Sequence, residues 1–175
     1  MKKAIGALMT IYICLLSLTG CQETKSTPDV SQYVQPINTI QVGDNVKIVG
    51  LGEATHGNKE FQLLKKDVFA ALVNNNHIRI FALEGDFGGC AKVNNYILYD
   101  EGTAKDAVAE IGFSIYRTQE MEELVQWMHD YNKTANENDK LKFYGFDMQR
   151  YDNSKDLLFM YLDKVDSALS NEYRK

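Results

Sequence analysis

Three short runs of strand-forming residues punctuate the chain. Val46 to Leu51 stops at Gly52, Ile78 to Leu83 stops at Glu84-Gly85, and Leu141 to Phe146 stops at Asp147. Each has strand length and is rich in β-branched or aromatic residues. Apolar positions at helical spacing fill the intervals. Phe61, Leu64, Val68, Phe69 and Leu72 form one stripe, ended by Asn74-Asn75-Asn76. Met121, Leu124, Val125 and Met128 form another, with Thr118 as its cap and Glu120, Glu122 and Glu123 suited to its positive end. Ser154 is expected to cap a last helix carrying Leu157, Leu158, Tyr161, Leu162, Val165 and Leu169. The spacing also predicts a helix near 90–99 and a short one near 103–110. This alternation predicts an α/β fold, with parallel βαβ units, right-handed crossovers and helices packed on the sheet. The last helix still shows an apolar face where the sequence stops, and three strands rarely make a sheet covered on both faces. The fold is therefore expected to be incomplete at the C-terminal end.

Composition narrows the class. The 175 residues are 45% hydrophobic and 25% charged, which is ordinary for a globular domain. A net charge of −5 without a long Lys/Arg run argues against a nucleic-acid partner. The N-terminus reads as an address. Met1-Lys2-Lys3 precedes an uncharged apolar stretch from Ala4 to Leu18, followed by Thr19-Gly20-Cys21. This pattern resembles a bacterial lipobox, in which Cys21 is acylated and becomes the first residue of the exported protein. It predicts a lipid anchor to a membrane of the bacterial cell envelope, without a transmembrane helix. The expected organisation is a signal peptide over 1–20, a polar tether and lead-in over 21–44, and an α/β domain over 45–175. With Cys14 in the signal and Cys21 lipidated, Cys90 stands alone, so no intramolecular disulfide is expected. Cys90 is read as a small buried residue of a Gly-Gly-Cys-Ala turn rather than a nucleophile.

Ligand sites of parallel sheets lie at the carboxyl ends of the strands. There the first run delivers Glu53 and His56, the second Glu84 and Asp86, and the third Asp147 and Gln149. Gly50-Leu51-Gly52-Glu53-Ala54-Thr55-His56-Gly57 holds three glycines besides Glu53 and His56, so a sharp turn can bring the acid and the imidazole together. An imidazole beside carboxylates suits general-base work on water. Either Glu53 or Glu84 can fix its tautomer. The same His, Glu and Asp residues offer a divalent-cation site as an alternative, although only one histidine belongs to the group and no His-Glu-x-x-His helix is present. The expectation is direct base catalysis with no cofactor. There is no Gly-x-Ser-x-Gly elbow and no P-loop, and the Asp86-Phe87-Gly88 triplet has no other kinase signature around it. Arg117 can meet an anionic substrate or intermediate, or can make a structural ion pair. His77 reads as an exposed helix C-terminal residue and His129 as a surface residue.

Together these residues resemble the erythromycin esterase family. Gly52-Glu53-Ala54-Thr55-His56-Gly57 with Glu60-Phe61 resembles its signature, and Phe81 to Gly85 resembles a second block. Val93-Asn94-Asn95-Tyr96, Gly112-Phe113 with Thr118 and Glu120, Trp127-Met128 and Phe143 to Gln149 follow in order. The resemblance implies cleavage of a carboxylic ester or lactone by His-assisted attack of water, without a serine nucleophile. By resemblance His56 is the general base, with Glu53 and Glu84 beside it. Asp86, Arg117, Asp147 and Gln149 are the candidate substrate-binding residues. Phe113 to Arg117 replaces the Trp-rich stretch of macrolide-degrading members, so antibiotic resistance is an open keyword rather than an implied activity. Family members are longer, and the chain is expected to be a truncated member. A non-catalytic surface lipoprotein is the alternative from another class.

Overall fold

A computed structural model describes residues 29–174. The signal peptide and Cys21 lie outside the described residues. The chain divides into two units, Met1–Val34 and Gln35–Lys175. Of the first, only 29–34 are described, with a short 3-10 turn at Ser31–Tyr33.

In the second unit, the first long helix, α1, spans Lys59–Asn76 and buries Val68, Phe69, Leu72 and Val73. It ends where the asparagine run predicts, with exposed His77 in the left-handed conformation (φ 55°) as its C-cap. The lead-in docks on that end, since Asn75 Nδ2 donates to Asn38 O at 3.0 Å and Ile40 O at 2.7 Å. Strand β1 spans Ile80–Asp86 and is followed at once by α2, Phe87–Tyr99. A short α3 covers Ala104–Glu110 and α4 covers Gln119–Thr134. Thr118 caps α4 as its sequence predicts, its side chain accepting from Met121 N at 3.2 Å. Strand β2 spans Lys142–Asp147 and lies parallel to β1, pairing Phe81 with Phe143 and Leu83 with Gly145. The architecture is thus α/β with a parallel pair of strands and helices packed on it, as the alternating pattern predicts.

The core is built between α2, α4 and the strands. Cys90, Val93, Ile97, Val108, Ile111, Leu124, Val125, Met128, Leu141 and Phe143 are almost wholly buried. Polar side chains finish the ladder where strands are lacking. Asn132 donates to Leu141 O at 2.9 Å and accepts from Leu141 N at 2.7 Å, while Asn94 accepts from Phe143 N at 2.9 Å. The register slips between Leu83 and Asp86, where two glycines let the strands crowd together. A Cβ at Gly145 would lie 2.6 Å from both Gly85 O and Asp86 O.

Several expectations need correction. Among the described residues, Val46 to Leu51 forms no hydrogen-bonded ladder, and Ile48 remains 88% exposed. Its β-branched pattern records a tendency, but a strand exists only with a partner edge. The glycines before Cys90 belong to α2 rather than to a turn. Ser154 does not cap the last helix. Helix α5 spans Asp152–Val165 behind Tyr151, and Ser154 sits inside it. The helical pattern also breaks at Asp166 (ψ 84°), whose carboxylate accepts from Leu169 N to cap α6, Ser167–Tyr173. Finally, His129 is buried, at 6% exposure, because α4 turns it inward against Tyr96 of α2.

Candidate active site

The turn ahead of α1 brings Glu53 and His56 together. His56 Nδ1 lies 2.6 Å from Glu53 Oε1, and the imidazole is 51% exposed while the carboxylate is 14% exposed. The other oxygen, Oε2, accepts from Lys65 Nζ at 2.5 Å. Lys65 is itself buried and is shared with Gln62 Oε1 at 3.3 Å, while Gln62 Nε2 donates to His56 O at 3.4 Å. One turn of α1 therefore grips both the side chain of Glu53 and the main chain of His56. Lys59 Nζ to Glu120 Oε1, at 3.4 Å, also ties the start of α1 to the start of α4.

Burial alone would raise the Glu53 carboxyl, but the hydrogen bonds and charges of Lys65 and His56 outweigh it and hold the group below its ordinary value. Glu53 is therefore an anion bonded to Nδ1, which directs the ring proton to Nδ1 and leaves Nε2 as the lone-pair nitrogen. Leu51, Gly52, Phe61 and Leu64 line a narrow crevice beside Glu53 and Lys65. This apolar wall weakens solvent screening of the pair.

The strand ends supply the remaining residues. Glu84 is exposed on β1. Asp147, at the end of β2, accepts from Gln149 N at 2.8 Å and from Gln149 Nε2 at 3.1 Å, so these two predicted residues form one unit. Tyr116 is 2% exposed, and its phenol is pushed up to about 12, first by burial and then by the charges of Glu53 and Glu84. Asp86 is fully buried. Its Oδ2 accepts from Gly89 N at 2.7 Å and from Asn153 Nδ2 at 3.0 Å, so it caps α2 and latches α5 to it. Arg117 makes no ion pair among the described residues and sends Nη2 to Ala109 O at 3.4 Å. Cys90 is buried, and burial followed by the Asp86 charge pushes its thiol up to about 12, which suits packing rather than nucleophilic attack.

Sequence reasoning missed Lys65, Gln62 and Tyr116. Lys65 left a signal, a charged residue four positions from Phe61 and four from Phe69 on the apolar stripe of α1. Tyr116 left none, because its burial depends on the Ser114–Tyr116 turn packing into the core.

Comparison with known proteins decides the family. A family profile described as erythromycin esterase matches residues 73–175. The chain belongs to the erythromycin esterase family. An erythromycin esterase type II from Escherichia coli is 32% identical over 116 residues, covering 66% of this chain and 26% of that protein. Among solved structures, a succinoglycan biosynthesis protein matches with a TM-score of 0.57 and 30% identity, over 65% of this chain and 28% of its own. A Bacillus cereus protein matches with a TM-score of 0.60 and 23% identity, over 70% and 29%, and supports the fold alone. The chain thus spans between 26% and 29% of the length of these relatives. The profile match contains Glu84, Tyr116 and Asp147 but begins after Glu53 and His56.

Proposed function

We propose that the chain carries the water-activating residues of an ester hydrolase, in which His56 is the general base. The observation that carries this reading is the relay of Lys65, Glu53 and His56, with contacts of 2.5 Å and 2.6 Å. Nε2 accepts a proton from water as the water oxygen attacks the acyl carbon. The carbonyl becomes a tetrahedral oxyanion, and the imidazolium then returns the proton to the departing alkoxide. Glu53 stabilises the imidazolium and holds the ring, and Lys65 keeps Glu53 ionised. Glu84, Asp147 and Gln149 contribute the polar wall against which the ester or lactone lies, while Asp86 supports that wall from the interior. No serine nucleophile is required, and no metal takes part in the step.

The test is ester hydrolysis by the full-length protein. His56→Ala is expected to lower kcat/KM by about 10²- to 10⁴-fold. An unchanged rate would defeat the reading, and loss of activity on exhaustive chelation would replace it with metal-assisted attack. Export with acylation at Cys21 is proposed on the sequence pattern of residues 1–21. Cells fed an alkyne fatty acid should label the wild-type protein and leave Cys21→Ser unlabelled. Equal labelling of both would remove the anchor.

A further inference from the structure

Two arginines at the carboxyl edge keep most of their donors unspent. Arg117 follows the Ser114–Tyr116 turn and reaches Ala109 O. Arg150 follows β2 and sends Nη1 to Gly112 O at 2.7 Å. Both guanidinium groups therefore hang on the single turn that closes α3. That turn is pinned to the end of β1, since Asp86 N donates to Ile111 O at 3.0 Å. Gly112 has φ +96°, and a Cβ there would stand 2.9 Å from Asp86 Cβ and 3.3 Å from Arg150 Cδ. The backbone is thus shaped to let Arg150 lie close over the strand end.

A guanidinium has five N–H donors in a planar fork, and a carbonyl occupies one donor on each arginine. Among the described residues, the remaining donors of Arg150 meet only Asp152, with Nη2 at a loose 3.9 Å from Oδ2, and the side chain is 44% exposed. Arg117 has no carboxylate partner among those residues and is exposed. Their place is also telling. Arg117 directly follows buried Tyr116, and Arg150 comes three residues after Asp147, at the edge where β1 carries Glu84 and β2 carries Asp147. An edge carrying these acids would repel an anionic ligand unless a cation stood beside it.

We infer that Arg117 and Arg150 form a subsite for an oxyanionic group, carboxylate or phosphate, carried by the substrate, so that the preferred substrate is an anionic ester. This rests on the hydrolase reading for its catalytic consequence, while the binding itself does not. The two forks bind the oxyanion and place the neighbouring ester carbonyl before His56.

The experiment compares mono-4-nitrophenyl glutarate with 4-nitrophenyl butyrate, which share the reacting ester and differ in a distal carboxylate. The full-length protein should prefer the anionic ester by about tenfold in kcat/KM, through KM, and the preference should shrink as salt is added. Arg117→Gln with Arg150→Gln should abolish the preference. Should the double variant fail to fold, each single variant is read in the same way. A preference unaltered by the substitutions, or no preference in the wild type, overturns the proposal. If neither ester is hydrolysed, the hydrolase reading fails separately, and calorimetry with glutarate decides the subsite. Binding that the substitutions remove supports it. Binding that they leave intact, or no binding to the wild type, overturns it.

Discussion

Two imidazoles in this fold each rest on a carboxylate, and their surroundings assign them opposite work. His56 meets Glu53 at 2.6 Å with the side chain 51% exposed, so one nitrogen is fixed and the other is open to solvent. His129 meets Asp100 at 2.9 Å with the side chain 7% exposed. Its Nε2 is taken by that contact, and its Nδ1 lies 3.4 Å from both Tyr96 Oη and Gln126 Nε2. The ring also stacks on Tyr96 at 4.6 Å. A carboxylate beside a histidine is therefore not a catalytic signal by itself. The unoccupied nitrogen, and what holds the carboxylate from behind, separate a base from a strut.

The strongest way to break this contrast is to remove each ring. His56→Ala should cost about 10²- to 10⁴-fold in kcat/KM. His129→Leu should leave the rate per folded molecule unchanged and lower stability by about 1–3 kcal/mol in urea titration, because Asp100, Tyr96 and Gln126 lose a shared partner. An activity loss at His129 that matches the loss at His56 would erase the distinction.

Lys65→Met sharpens the comparison, since among the described residues no lysine pairs with Asp100. Without Nζ, the Glu53 carboxyl rises and the ring loses its fixed tautomer. The expected loss in kcat is about 10²-fold, with Lys65→Arg recovering part of it. A variant with wild-type kcat would show that Glu53 needs no support.

A smaller effect is read as stability against pH. Glu53 is held below its ordinary value in the folded state, so its contribution is present above the unfolded value and is lost as pH falls through the folded value. Urea midpoints from about pH 6 down to about pH 3 should fall less steeply in Glu53→Gln than in the wild type. Equal slopes would mean that the anion is not held. The smallest effect belongs to Cys90. With the thiol pushed up to about 12 and buried, it should react with a maleimide at about pH 8 only as fast as the protein opens.

The legible parts of the fold are those where local chemistry and tertiary context agree. The stripe of α1, the Thr118 cap and the acids at the ends of β1 and β2 all follow from short-range pattern. What was not legible depends on partners distant in sequence. Val46 to Leu51 reads as a strand but has no ladder among the described residues. Ser154 reads as a cap, but Asn153 and Ser154 are drawn into α5 against Gly88, where a Cβ would lie 2.3 Å from Ser154 N. His129 reads as a surface residue because nothing local shows that Asp100, in a left-handed turn at φ 60°, meets it from the end of α2. The site was half legible for the same reason. Glu53 and His56 share one turn, while Lys65 joins them only once α1 has formed.

The tautomer of His56 tests the central claim most directly. In nitrogen-15 spectra of the neutral ring in the full-length protein, Nδ1 should carry the proton and Nε2 should show the shift of a bare nitrogen. Glu53→Gln should make the two nitrogens exchange the proton freely. A wild-type spectrum with Nε2 protonated and Nδ1 bare would place the lone pair against Glu53 and leave no base facing the substrate.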